Sequence, residues 1–235
     1  MTTISRTASS KLPTLFGEFE LVHYQGESLE ALALVYGEIG TEAVLCRVHS
    51  ECMTGEVFGS LRCDCKAQLE LAQKRIVAEG QGVIVYLRQE GRGIGLGNKI
   101  KAYALQDQGR DTIEANLELG FAADERAYDV AAAILRELKV ASVRLLTNNP
   151  EKMSGLRDAG IEVVEQLSHW AEFSVFSEAY IETKRQYMGH ILDHAGPGRS
   201  SSGSPNSGSM DSDNPISDSI DSDSQSPEQT EGKAS

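Results

Sequence analysis

Short apolar, β-branched runs separated by helix-like segments constrain this chain more than any other feature of its first 195 residues. "EALALVYGEI" and "EAVLCRVHS" alternate in the manner of sheet strands, and "GVIVYLRQ" is a continuous apolar run suited to a buried strand. Helices are expected after Ala67, between Gly97 and Gly109, and after Asp124. In the last of these, Tyr128, Ala131, Ala132, Leu135 and Leu138 recur at three- and four-residue steps and form one apolar stripe. "VRLLTNNPEKMSGLRDAGIEVVE" reads as strand, turn, helix and strand. Asn149 caps that helix, Pro150 takes its first position, where a missing N–H is harmless, and Gly160 ends it. Strands and helices taken in turn predict an α/β (α+β) class, a mixed sheet with flanking helices.

That pattern predicts a single folded domain over residues 1–195 and a disordered, Ser/Asp-rich acidic tail over residues 196–235. The tail is nearly free of large apolar side chains and cannot bury enough surface to offset the entropy of ordering. The formal net charge of −13 argues against a nucleic-acid partner, because phosphate contacts need clustered Lys and Arg. No apolar run approaches the roughly 20 residues that span a bilayer, so no membrane partner is expected. The polar start "MTTISRTASSKLPT" lacks the apolar core of a signal peptide, and no further upstream domain is expected. A cytoplasmic protein with reduced thiols follows.

The thiols are the first chemical signal. Cys52, Cys63 and Cys65 form a C-x10-C-x-C arrangement. Zinc takes thiolates readily: four protein ligands close a structural site, whereas a catalytic site keeps one position for water. Cys46 and His49 both compete for a fourth place, and free thiols are the alternative. Cys46 on a core-facing strand position is more simply a small buried apolar residue.

"RQEGRGIGLGNKIKAYALQDQG" is the second signal. Glycines at 91, 93, 95 and 97 allow close backbone approach to a ligand, and Arg88 and Arg92 supply cations that pair with phosphate. The stretch is neither a Walker A loop nor a dinucleotide fingerprint. Tyr103, one turn beyond Lys99 and Ile100, belongs either to the core or to a site. The helix start at "TNNP", with Thr147 before it and Lys152 in its first turn, would suit an anion.

Together, "RVHSECMTGEVFGSLRCDC", "RQEGRGIGLGNKIKAYALQDQG", "DTIEANLELGFAADER" and "LLTNNPEKM" resemble the GTP cyclohydrolase II family, which begins riboflavin biosynthesis, over residues of about 11–190. The resemblance implies one Zn2+ per subunit on Cys52, Cys63 and Cys65, with water in the open position. It implies that GTP is held by Arg47, Val48, His49, Ser50, Glu51, Gln68, Glu90, Gly91, Arg92, Thr112, Thr147 and Lys152, with Mg2+ on the triphosphate. It gives catalytic roles to Tyr103, Asp124 and Arg126, and it suggests a homodimer. The implied reaction converts GTP and water to a diaminopyrimidine ribosylamino phosphate, formate and diphosphate. The family scheme makes Arg126 a nucleophile at the α-phosphate with Asp124 as proton acceptor. A guanidinium protonated below pH ~12 suits charge stabilisation around an attacking water equally well. A nucleotide sensor without turnover and an enzyme of a modified purine nucleotide are the competing readings. Two departures stand out: Lys66 follows the C-x-C where the family commonly has Gly, and residues 167–180 lack an Asn-containing stretch.

Overall fold

The computed structural model describes residues 2–26 and 29–171. The tail expected over 196–235, and all but the start of the divergent 167–180 segment, lie outside the described residues.

Among the described residues, seven strands form one sheet: β1 (Ile4–Pro13), β2 (Glu18–Gly26), β3 (Glu30–Tyr36), β4 (Val44–Ser50), β5 (Gly82–Leu87), β6 (Ser142–Leu146) and β7 (Glu162–Leu167). Their order is β1-β2-β3-β5-β4-β6-β7. β1, β2, β3 and β5 pair antiparallel, and β5, β4, β6 and β7 pair parallel. The expected mixed sheet is therefore observed, with an antiparallel half and a parallel half that meet at β5. Parallel pairing needs crossovers, and these carry the helices: α1 (Met53–Glu56) and α2 (Cys65–Glu79) between β4 and β5, α3 (Gly95–Gln106), α4 (Thr112–Glu118) and α5 (Asp129–Glu137) between β5 and β6, and α6 (Pro150–Asp158) before β7.

Alternation along each strand divides the core between two faces. Val44, Cys46 and Val48 of β4 join Val83, Val85 and Leu87 of β5 beneath α5 and α6, while Leu45 and Ile84 face Ala72 and Ile76 of α2. Cys46 is thus a fully buried core residue, and burial pushes its thiol up to about 12. In α5, burial extends beyond the expected stripe to Val130, Ala133 and Ile134. Small alanines let this helix lie close against the sheet.

α6 follows its sequence signals. The Asn149 side chain accepts from the Glu151 N–H at 2.9 Å, Pro150 opens the helix, and Gly160 takes a φ of 83° just past its end. Among the described residues, no helix is long and apolar enough to cross a membrane.

Candidate active site

β4 is the first parallel strand; the chain then adds β5 on one side of it and crosses over to add β6 on the other. Such a reversal opens a crevice at the carboxyl ends of the strands, where α/β sheets bind ligands. Three loops leave this edge. The loop after β4 carries Glu51 and Cys52, the loop after β5 carries Glu90, Gly91 and Arg92, and the loop after β6 carries Thr147.

Cys52 sits at the start of α1, and Cys65 opens α2. The ligand atoms of Cys52, Cys63 and Cys65 lie within 4.8 Å of one another, and the Cys52 and Cys63 sulfurs are 3.5 Å apart. A disulfide needs about 2.05 Å. Two thiolates on one tetrahedral zinc, each at about 2.3 Å, are about 3.8 Å apart, so the spacing fits a shared ion. Gly55 supports the same reading. A Cβ there would lie 2.8 Å from the Cys63 sulfur and 3.3 Å from that of Cys52, so this glycine leaves the thiols the room they occupy. Among the described residues no His, Asp, Glu or fourth Cys joins the group. Hydrogen bonds from Cys63 and Cys65, aided by the Lys99 ammonium, hold the Cys52 thiol well below its ordinary range, while the shared protons push Cys63 and Cys65 up. This charge distribution suits a cation.

Beside the thiols lies a cleft, partly open to solvent, lined among others by Glu51, Cys52, Arg92, Tyr103, Thr112 and Arg126. Of the other residues expected to bind substrate, Ser50, Glu90 and Gly91 also line it. Tyr103 places its hydroxyl 3.5 Å from Thr54 Oγ1, which is 3.6 Å from the Cys52 sulfur. Burial raises the phenol above its ordinary value, so it is protonated at neutral pH. Arg126 grips Asp124 with both its Nε and a terminal nitrogen. Burial alone would raise the Asp124 carboxyl, but the Arg126 hydrogen bonds outweigh it and hold it below the usual carboxylate range.

The glycine-rich loop is shaped to receive that pair. Gly91, Arg92 and Gly93 all take positive φ, at 64°, 62° and 94°. A Cβ on Gly93 would lie 2.8 Å from the Glu125 carbonyl oxygen, and the Glu125 N–H donates to the Arg92 carbonyl at 3.0 Å. The absent side chain lets the Asp124–Arg126 segment close onto the loop.

A sequence profile of the family described as GTP cyclohydrolase II matches residues 5–168. This chain belongs to the GTP cyclohydrolase II family. GTP cyclohydrolase-2 of Acinetobacter baumannii is 53% identical over 188 residues, 78% of this chain and 94% of that one. GTP cyclohydrolase-2 of Pectobacterium atrosepticum is 53% identical over 193 residues, 81% of this chain and 98% of that one. Riboflavin biosynthesis protein RibBA of Chlorobium phaeovibrioides is 51% identical over 192 residues, 80% of this chain but 47% of that longer one.

In this member of the GTP cyclohydrolase II family, several of the residues singled out from sequence lie behind the cleft rather than on it. Arg47 is buried, donating to the Leu146 carbonyl at 2.7 Å and to Gln68 Oε1 at 2.6 Å, while its Nε has no hydrogen-bond partner among the described residues. Gln68 passes the chain on to Asp64, the first residue before α2. Val48 is core. Lys152 points inward and donates to the Val48 carbonyl at 2.8 Å, and Thr147 accepts from the Asn149 N–H at 3.1 Å. The start of α6 is therefore already capped by its own chain. Lys66 is exposed on the second residue of α2.

Three residues of this site escape sequence reasoning. Glu56 accepts from the Cys52 N–H at 3.0 Å and from the Tyr86 hydroxyl at 2.7 Å, and pairs with His49 Nε2 at 2.8 Å. It ties the loop that carries Cys52 to two adjacent strands, on which His49 and Tyr86 are register partners with stacked rings. Gln89 joins Ser50 Oγ at 2.9 Å to the Ala127 N–H at 3.2 Å. Lys99, buried on α3, reaches Glu90 and Cys52. The signal for Gln89 and Lys99 was their place inside a motif already noticed; for Glu56 it was the position inside "CMTGE".

Proposed function

We propose that this chain hydrolyses GTP at both the imidazole ring and the triphosphate, releasing formate and diphosphate, with zinc on Cys52, Cys63 and Cys65 and Mg2+ on the triphosphate. The observation that carries this reading is a three-thiol cluster with no fourth protein ligand among the described residues, opening onto a cleft that holds Tyr103 and Arg126. When bound, zinc supplies the Lewis acidity that makes water nucleophilic near neutral pH.

The rest is work for the chain's own side chains. Two waters are consumed at the ring carbon between the imidazole nitrogens, first opening the ring to a formamide and then freeing formate. A third is consumed at the α-phosphate. Tyr103, protonated at neutral pH, donates its proton to the nitrogen leaving the ring carbon, and its place beside Thr54 and Cys52 keeps it within reach of the metal. Arg92 and Arg126 hold phosphate oxygens, a task for which a planar guanidinium is suited. Asp124 keeps Arg126 charged and oriented, so Arg126 stabilises charge at the α-phosphate. Arg47, Val48, His49, Ser50, Glu51, Gln68, Glu90, Gly91, Thr112, Thr147 and Lys152 complete the nucleotide site. Those behind the cleft act by shaping its floor: Arg47 and Gln68 fix the start of α2 next to Cys65. The active assembly is a homodimer.

Zinc-loaded protein incubated with GTP and Mg2+ should release formate and diphosphate in equal amounts. Diphosphate without formate, or neither product, would sink the reading. Tyr103→Phe should cut formate release by roughly 10²-fold or more while leaving GTP affinity within a few-fold, the usual scale for losing a positioned acid.

A further inference from the structure

Lys99 is a charged side chain in a buried place, 8% exposed, one turn before Tyr103 on α3, and the family assignment gives it no role of its own. Its Nζ donates to Glu90 Oε1 at 2.6 Å and to the Cys52 sulfur at 3.1 Å, and lies 5.6 Å from the centre of the Tyr103 ring. Glu90 is in turn held on its other oxygen by the Met53 N–H at 2.6 Å, and the Gly91 N–H reaches Oε1 at 3.0 Å. The glycine loop also closes on the lysine stem, since a Cβ on Gly91 would lie 3.0 Å from Lys99 Cβ. One ammonium thus joins the loop after β4, the loop after β5 and α3.

We propose that Lys99, locked in place by Glu90, is a positioning residue for Cys52 that offsets the excess negative charge of a three-thiolate metal site. The inference rests on the zinc reading above. Three thiolates around a divalent ion carry a net charge of −1, and the Glu90 carboxylate adds another beside a cleft that must admit a triphosphate. An ammonium between them neutralises one of these charges, and its N–H···S hydrogen bond draws electron density from the Cys52 sulfur. Partners of this kind set ligand orientation and metal affinity although they never touch the metal. A lysine that merely filled space would need neither contact.

The test is metal binding, read without turnover. Full-length protein is titrated with Co2+ in competition with a chelator, and the thiolate-to-cobalt charge-transfer band is recorded for wild type, Lys99→Met and Lys99→Arg. Lys99→Met should raise the Co2+ dissociation constant about ten- to hundredfold, as lost outer partners of metal ligands do. It should also move the band to longer wavelength, because a sulfur without its hydrogen bond is easier to oxidise. Lys99→Arg, which keeps the charge, should restore both toward wild type. Wild-type affinity and band in Lys99→Met would overturn the proposal, and so would an arginine variant as impaired as the methionine one, since that points to packing. Should Lys99→Met not fold, Lys99→Gln is read by the same criteria. Wild-type protein that binds no Co2+ would instead remove the zinc reading, and this inference with it.

Discussion

The two halves of the sheet spend their burial differently. In the antiparallel half, β1 to β3, the buried residues are apolar apart from the Tyr24 hydroxyl, which donates to Glu137 at 2.6 Å, and β1 is exposed along most of its length. Every buried charged or amide side chain among the described residues comes later, from Arg47 onward, and the charged ones among them include Arg47, Asp64, Glu90, Lys99 and Lys152. Burying a charge is costly unless it is paired. Here each pairing ties together segments that surround the cleft, so the cost falls where geometry must be held. Both halves share the apolar core, but the buried polar groups gather on the parallel half, around the cleft.

Substitutions in each half should separate these contributions. The largest effect should come from Cys65→Ser, which removes a thiol at the start of α2. Formate release should fall by about 10³-fold or more, the several kcal/mol that a metal contributes, with protein-bound zinc lost by elemental analysis. Phe19→Ala, on the antiparallel side, should do the opposite. Phe19 is 1% exposed and packs in the cluster with Leu34, Ala72 and Ile76, so denaturant unfolding should show a loss of about 3–5 kcal/mol with turnover per folded molecule unchanged. If that variant also lost turnover, the division between the halves would fail.

Gly55→Ala should act between these extremes. A Cβ at 2.8 Å from the Cys63 sulfur forces the thiols apart, and we expect zinc affinity to fall about ten- to hundredfold in chelator competition while the fold survives. The smallest effect concerns His169, which is fully buried just after β7 and donates from Nε2 to the Gln68 carbonyl at 2.9 Å. Burial pushes its pKa down to about 2, far below the ordinary value near 6.5. The native state therefore refuses a proton that the unfolded chain takes up. Its contribution is complete above pH ~6.5 and is lost as the pH falls, by up to ~1.4 kcal/mol per unit. Between pH 6.5 and 5, wild type should lose about 2 kcal/mol more stability than His169→Gln in denaturant titrations.

Much of this division was legible in the sequence, and unevenly so. β3, β4, β5 and the β6–α6–β7 unit followed from apolar runs and from the Asn149–Pro150 and Gly160 signals, because local chemistry decides them. The first two strands were not anticipated: seven consecutive residues of β1 are exposed, so no apolar alternation marks it, and its pairing with β2 is a tertiary fact. α4 was also missed, although Asp111 and Glu114 form a capping box around its start. The three clustered thiols were legible as candidates, and their separation from Cys46 followed from strand alternation. The supporting shell was not. Glu56 meets Tyr86 from thirty positions away and Lys99 meets Cys52 from forty-seven, and no spacing rule brings such pairs together. Nor does spacing tell that Lys152 donates to the Val48 carbonyl, 104 positions away.

The central claim is a metal held by three thiolates with its fourth position left open. X-ray absorption at the zinc edge of the loaded, substrate-free protein tests it most directly. The account predicts three sulfur neighbours at about 2.3 Å and one oxygen neighbour at about 2.0 Å. Four sulfurs, or a fourth ligand with the scattering pattern of an imidazole, would close the site and contradict it.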